Sequence, residues 1–278
     1  MATDKPVLLC CDLDRTLIPN GPQPESPQAR EKFRQLIERP EVKLAYVSGR
    51  DKQLLLSAIA DYDLPVPDYA IGDVGTSLYH IRANEWRLSG DWHQHISQDW
   101  HGLQQPDLQE YLHTFPQLEL QETEKQNRYK LSYYVDPKVD ISTLLTVIDQ
   151  TLQANNIRAN LVWSIDEQQN TGLLDILPAS ANKLHAINYL IAHEGFQTER
   201  TIFAGDSGND LDVLTSPLQA VLVNNAMPEI KQQALESARL HHTEQQLYIA
   251  VGDFMGMNGN YAAGILEGVA HYLPEYRK

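Results

Sequence analysis

The run Val7-Leu-Leu-Cys-Cys-Asp12-Leu-Asp14-Arg-Thr16 decides how the rest of the chain is read. Five consecutive apolar residues leave no polar face, which suits a strand covered on both sides, as in a parallel sheet. The run stops at an acid, and a second acid follows two residues later. In open α/β sheets the carboxyl ends of the strands line the ligand crevice, so this pair is expected to face a site. Two carboxylates so close repel each other, which favours a bound divalent cation. One can act as a nucleophile while the other moves a proton. Taken alone, the pair also fits a solvated turn or a helix cap.

Working outward, Ser26-Pro27 reads as an N-cap with proline at the first helical position, ahead of Phe33, Leu36 and Ile37 at helical spacing. Lys43 to Val47 predicts a second strand, followed by Ser48-Gly49-Arg50 and a helix through Leu54, Leu55, Ala58 and Ile59. Tyr69-Ala-Ile71 predicts a third. This alternation of strand and helix is the pattern of an α/β fold with a parallel sheet. Near residue 82 the texture changes, with Trp86, Trp92, His93, His95, Trp100 and His101 close together. Lys130 to Val135 and Arg158 to Ile165 have strand character, and Asp140 can cap a helix carrying Ile141, Leu144, Leu145 and Ile148. From Leu173 the α/β texture returns. Leu173 to Leu177 reads as a core strand, then come a helix over 181–194 ended by Gly195, strands at Thr201–Ala204 and Ala220–Val223, a loop-rich stretch over 240–260, and a helix over 261–272. The expected organisation is a core of 1–81 and 173–278, split by an inserted α+β unit over 82–172.

Composition narrows the function. With 278 residues the chain is long enough for one large or two modest domains. A net charge of −15 argues against gripping nucleic acid or an anionic membrane by bulk charge. No apolar run approaches a membrane span, and Val7 to Cys11 is too short for a signal-peptide core. The only cysteines, Cys10 and Cys11, are adjacent, which fits buried strand residues and no disulfide framework. A cytoplasmic protein is expected.

Three more signals fall at predicted strand ends or helix starts. Ser48-Gly49 offers a hydroxyl and backbone N–H groups that can cradle phosphate, although Ser48 also fits an N-cap. Lys183 sits at a helix N-terminus against the dipole, where a cation can offset charge on a transferring phosphoryl group. Gly205-Asp206-Ser-Gly-Asn209-Asp210 places hard oxygen ligands on a turn after a strand. By contrast, His93, His95, Asp99 and His101 carry little as a zinc site, since no cysteine accompanies them and helical spacing scatters them. The tryptophans of the insertion fit its core, or stacking platforms for a sugar ring.

The order of Asp12-x-Asp14-x-Thr16, Ser48-Gly49-Arg50, Lys183 and Gly205-Asp206-x-x-Asn209-Asp210 resembles the haloacid dehalogenase (HAD) superfamily of phosphotransferases. The resemblance implies a Rossmann-like HAD core with a parallel sheet and a C2-type (C2B) cap in the insertion, closing over the site. It implies Asp12 as the nucleophile that forms an aspartyl-phosphate, and Asp14 as the group that protonates the leaving alcohol and then activates water. It also implies Mg²⁺ on Asp12, the Asp14 backbone carbonyl and Asp206, with Asp210 in support. Thr16, Ser48, Gly49, Lys183 and Asn209 would hold phosphate oxygens. Such charge compensation and in-line positioning are what phosphoryl transfer requires.

Finer resemblance covers most of the chain. Leu8 to Thr16, Val74-Gly75-Thr76, Lys130 to Asp136, Asp175 to Pro178, Gly205 to Asp210, Asn225-Ala226 with Pro228-Glu229, and Ala262 to Glu267 are similar to sucrose-6-phosphate phosphatases and relatives acting on other phosphorylated disaccharides and glycosides. The resemblance implies sugar contacts from Arg50, Gly75, Thr76, Ser77, Lys130 and Ser132. One departure bears on specificity, because the family's Gly-Ser/Thr-Glu loop here reads Gly75-Thr76-Ser77. Losing a carboxylate that would accept from sugar hydroxyls can change specificity more than losing a methylene. The expected activity is therefore a Mg²⁺-dependent phosphatase of a phosphorylated disaccharide or glycoside, with sucrose-6-phosphate as the leading substrate. Mannosylfructose phosphate and glucosylglycerol phosphate are the alternatives. A phosphomutase on the same core, or a catalytically weak partner of a sugar-phosphate synthase, are the rival readings. A monomer is expected.

Overall fold

The computed structural model describes residues 5–166 and 169–277. The chain divides into two compact units, one formed by residues up to Leu88 together with Lys183 onward, the other by Ser89–Asn182.

In the larger unit β1 (Val7–Cys11) is buried along its whole length, as five apolar residues in a row require. Helix α1 (Ala29–Ile37) follows, then β2 (Val42–Val47), α2 (Lys52–Asp61), β3 (Tyr69–Gly72), β4 (Ser77–Arg82) and β5 (Glu85–Leu88). The smaller unit holds α3 (Gly90–Ser97), α4 (Gln105–Leu112), β6 (Glu119–Leu120), β7 (Leu131–Val135), α5 (Ile141–Ala154), β8 (Ala159–Asp166) and β9 (Thr171–Pro178). The larger unit resumes with α6 (Lys183–Glu194), β10 (Thr201–Gly205), the short α7 (Leu211–Leu214), β11 (Gln219–Leu222), α8 (Pro228–His241), β12 (Leu247–Ile249) and α9 (Ala262–Tyr272).

The large sheet runs β12-β11-β10-β1-β2-β3-β4-β5. Its first six strands are parallel, while β4 and β5 are antiparallel additions at one edge. From β1 the chain steps outward through β2 and β3, and after the smaller unit it steps the other way through β10, β11 and β12. The order reverses between β1 and β10, and that crevice is where such sheets bind ligands. This is a mixed α/β fold with a parallel sheet, as the sequence predicts.

Four expectations are corrected or sharpened. Leu173 to Leu177 lies in β9, which pairs with β7 and β8 in the smaller four-stranded antiparallel sheet and not in the core sheet. A continuous apolar run cannot by itself say which sheet covers it. At the other boundary, pairing of β5 with β4 carries the larger unit to Leu88, past the expected break at residue 82. Ser26 does not cap α1, for its hydroxyl accepts from the Asn258 amide and the helix starts only at Ala29. The stretch over 240–260 contains β12, whose Leu247 to Ile249 pair with β11.

In the smaller unit Trp92 and Trp100 are fully buried, so they are core residues. Asp99 is buried too, where it accepts from the Ser180 amide at 2.7 Å and the Ser180 hydroxyl and pairs with Arg158 at 3.3 Å. That residue is thus structural and not part of a histidine metal site. Among the described residues no helix is long and apolar enough to cross a membrane.

The last helix closes the larger unit. Along α9 every residue from Ala262 to Ala270 is buried, and two glycines set the approach. A Cβ on Gly264 would stand 2.2 Å from the Gly259 carbonyl oxygen, and one on Gly268 would stand 2.1 Å from a Val221 methyl. Gly264→Ala and Gly268→Ala should therefore each destabilise the protein by about 1–3 kcal/mol, as overpacking does. Urea denaturation reads this directly, and unchanged midpoints would mean that α9 does not pack at this distance.

Candidate active site

The site begins where β1 ends. The Asp12 amide donates to the Ala204 carbonyl of β10 at 2.9 Å, so the first acid is pinned at the point where the two halves of the sheet meet. Beyond it the chain folds tightly, with the amides of Thr16, Leu17 and Ile18 all donating to the Leu13 carbonyl. Asp206 follows β10 directly, and Lys183 is the first residue of α6. Segments some 170 to 190 residues apart in sequence thus deliver their charges to one place.

Lys183 is the hub. Its Nζ donates to Asp12 Oδ1 at 2.9 Å and to Asp210 Oδ1 at 2.6 Å, and it lies 3.5 Å from Asn209 Oδ1. Lys183, Asp12, Asp206 and Asp210 are all buried. The Thr16 hydroxyl lies 3.2 Å from Asp206 Oδ1 and 3.4 Å from Asp12 Oδ2. Asp210 is saturated: its Oδ2 accepts from the Asp206 amide and from the amide and hydroxyl of Ser207, and its Oδ1 holds Lys183. Gly205 is required beside it, since a Cβ there would lie 2.6 Å from Asp210 Oδ2.

Charge in this nest is unbalanced. Burial pushes the Asp12 carboxyl up to about 7, with Lys183 opposing and Asp210 and Asp206 reinforcing. Burial, then Asp210, lifts Asp206 to about 6 against the pull of Arg15 and Thr16. For Lys183 burial works against the charge, but Asp12 and Asp210 outweigh it and hold the ammonium protonated. One oxygen each from Asp12, Asp206 and Asp210 lie within 4.8 Å of one another. Hard oxygen donors, an excess of negative charge and this spacing fit a divalent cation of the Mg²⁺ type. Because Asp210 is committed to four donors, Asp12 and Asp206 are the carboxylates best suited to ligate it.

Asp14 is held differently. Arg50 donates to both its oxygens, Nε to Oδ2 at 2.8 Å and Nη2 to Oδ1 at 2.6 Å, and the Asn20 side-chain amide adds a third bond at 2.8 Å. Partial burial would raise this carboxyl, but the Arg50 bonds and charge, with Asn20, hold it below its ordinary value. Arg50 is thus engaged with Asp14 instead of standing free for a sugar. Ser48 does not cap α2, because Asp51 does so by accepting from the Leu54 amide. The Ser48 hydroxyl instead accepts from the Arg50 amide, and Gly49 has open space where a Cβ would be. A cleft of about 530 Å³ collects these groups, lined by Asp12, Asp14, Ser48, Gly49, Arg50, Asp206 and Asn209 among others. Leu54, Met227 and Ile230 form its apolar part.

The expected sugar contacts fare less well. Gly75, Thr76 and Ser77 are buried. Thr76 donates its hydroxyl to the Asp73 carbonyl and Ser77 to Asp73 Oδ2, each at 3.0 Å. The hydroxyl at position 77 is thus bonded to a carboxylate at position 73, on a stretch where Asp73, Val74 and Gly75 all have positive φ. Ser132, in the smaller unit, is fully buried and donates to Asp175 at 2.5 Å, so it is a core residue; Lys130 is half-buried immediately before β7. Sequence reasoning gave no role to Asn20, Ser207 and Asn225, whose side chains orient the acids and the first turn. Ser207 and Asn225 lie in segments that carry the resemblance, whereas Asn20 showed only as a polar residue in a turn next to a motif.

The family model for sucrose-6F-phosphate phosphohydrolase matches residues 5–273. A Nitrosococcus oceani protein, described no further than as a HAD-like hydrolase, is 56% identical over 271 residues, which covers 98% of this chain and 73% of that protein. The mannosylfructose-phosphate phosphatase of Agrobacterium fabrum is 28% identical over 268 residues, covering 95% of this chain and 96% of that one. Among solved structures, the sucrose-phosphatase of Synechocystis sp. PCC6803, in complex with sucrose and phosphate, superposes with a TM-score of 0.73 at 28% identity, covering 96% of this chain and 98% of that one.

The raised carboxyls make the metal-free protein sensitive to pH. Both start from an ordinary value of 3.8, so charging them costs the folded state. Their contribution is fully present below about pH 4 and is lost as pH rises through 6 and 7. In chelator, the melting temperature of Asp206→Asn relative to the native chain should climb through that window, and Mg²⁺ should close the gap by stabilising the native chain alone. A difference that stays flat with pH would contradict the charge imbalance.

Proposed function

Because the chain belongs to the sucrose-6F-phosphate phosphohydrolase family, a branch of HAD-type phosphoric monoester hydrolases, we propose that it is a Mg²⁺-dependent phosphatase of a phosphorylated disaccharide or glycoside. Sucrose-6-phosphate is the leading substrate, and mannosylfructose phosphate is the next, given the relative from Agrobacterium fabrum. The observation that carries the reading is the buried Lys183 bridging Asp12 and Asp210 at the sheet's switch point, with Asp206 beside them.

In this reading the Asp12 carboxylate attacks phosphorus, the bond to the sugar oxygen breaks, and the phosphoryl group rests on Asp12. Asp14 donates the proton that the departing sugar oxygen takes up, then removes one from the water that attacks the aspartyl-phosphate, releasing phosphate. Arg50 holds Asp14 ionised before substrate arrives, so its grip must loosen and Asp14 must take up a proton from solvent before it can pass one to the leaving oxygen. Lys183 fixes Asp12 and compensates charge on the phosphoryl oxygens, while Thr16, Ser48, Gly49 and Asn209 supply donors around them. Asp12, Asp206 and the Asp14 backbone carbonyl would hold the Mg²⁺, which supplies Lewis-acid neutralisation of the phosphoryl group. Asp210 positions Lys183 and the Asp206 turn. We assign the smaller unit, Ser89–Asn182, to substrate specificity, with Lys130 as its candidate sugar contact.

The test is phosphate release with Mg²⁺ from sucrose-6-phosphate, mannosylfructose phosphate, glucosylglycerol phosphate and trehalose-6-phosphate. At least one of the first three should be hydrolysed, and Asp12→Asn should lower kcat by about 10³-fold or more, as expected on removing a nucleophile. No release from any member of the panel would overturn the proposal.

A further inference from the structure

Arg15 occupies the one place in the first motif where the backbone is left-handed, with φ of 58°. An L residue other than glycine or asparagine is disfavoured there. Side chains of other segments impose the conformation. The Arg15 amide donates to Asn20 Oδ1 at 2.8 Å, and its carbonyl accepts from Asn225 Nδ2 at 2.6 Å. Asn225 is itself fixed by accepting from the Tyr261 amide. The turn therefore does not need an arginine, and a smaller residue would suit it better. Strain kept where the surroundings over-determine it points to a role for the side chain.

That side chain carries a second cost. Its Nε is buried without a hydrogen-bond partner, 3.5 Å from Asp206 Oδ2, while 35% of the side chain stays exposed and the residue lines the cleft. The contact is a charge pairing that misses hydrogen-bond geometry. Lys183 differs, being buried and holding two carboxylates at 2.9 and 2.6 Å. A cation arriving at Asp206 would thus find the nearby ammonium committed to Asp12 and Asp210, and one direct ion-pair partner that is loosely held and can leave toward solvent.

We propose that Arg15 is a built-in counter-cation for Asp206, which neutralises that carboxylate in the metal-free protein and must be displaced when a divalent cation binds. The inference rests on Asp206 being a metal ligand, as read above. Two cations around one carboxylate repel, so the arginine weakens the affinity of the site for metal. It also limits the repulsion among the acids while no metal is present. Lysine at this position would keep the charge, while asparagine or glycine would remove it and suit the backbone.

The experiment is direct metal binding, without substrate, to the full chain. Mg²⁺ is followed by calorimetry and Mn²⁺ by the electron paramagnetic resonance of the free ion. Arg15→Asn should bind both cations about three- to fivefold more tightly, the scale of losing one partly exposed ion pair. Arg15→Gly should do the same, which keeps the test open if the asparagine variant folds poorly, and Arg15→Lys should stay within about twofold of the native chain. Binding by Arg15→Asn and Arg15→Gly that is unchanged or weaker overturns the proposal while leaving Asp206 as a ligand. Binding that survives in full in Asp206→Asn, or is absent from the native chain, overturns the metal reading, and the proposal with it.

Discussion

Most of this structure depends on the burial of Lys183 between Asp12 and Asp210. A lone ammonium at a helix N-terminus would be repelled by the helix dipole and would lose its hydration on burial. It is tolerated because two carboxylates meet it at 2.9 and 2.6 Å. The same contact joins the first strand of the sheet to the chain that returns after the smaller unit. Removing one partner would leave a buried charge exposed to the low-dielectric interior, which costs far more than an ordinary surface pair contributes.

One lysine cannot neutralise three buried acids, and that arithmetic shapes the rest of the site. Asp210 meets its share through the amides and hydroxyl of the Asp206-Ser207 turn, which leaves Asp12 and Asp206 under-compensated. Asp14, two residues from Asp12, is kept out of the conflict by Arg50 and Asn20. Each carboxylate therefore has a distinct environment, even though Asp12 and Asp210 share Lys183. Groups of one chemical type can take different roles only when their surroundings separate them in this way.

Much of this was legible from residues 7 to 16, 43 to 50 and 201 to 210, because several apolar runs each ending in a polar motif together make the pattern of a parallel sheet with a site at its strand ends. The continuous run of Leu173 to Leu177 was misleading, since burial on both faces reads alike in either sheet. Long-range partners were invisible. Nothing in Arg50 announces a bidentate bond to Asp14, and nothing in Asn225 announces that it fixes the Arg15 carbonyl 210 residues away. The loop at Gly75-Thr76-Ser77 illustrates the same limit. The departure at position 77 was legible, but that Ser77 would bond to Asp73 four residues back was not.

The charge of −15 would oppose an anionic ligand if it acted as a uniform field. It does not act so within the cleft, because the cations of this chain are placed where its acids converge. Lys183 contacts two of the four aspartates of the motifs, and Arg50 and Arg15 contact one each. The pairings differ in strength, and the difference matters. Lys183 is buried and fixed, Arg50 is bidentate but partly exposed, and Arg15 is loose. Two buried carboxylates hold the first, whereas the other two keep part of their side chains open to solvent. Global charge thus bears on nucleic acid and membranes, which meet the whole surface, while the local order of these three cations governs a small anion.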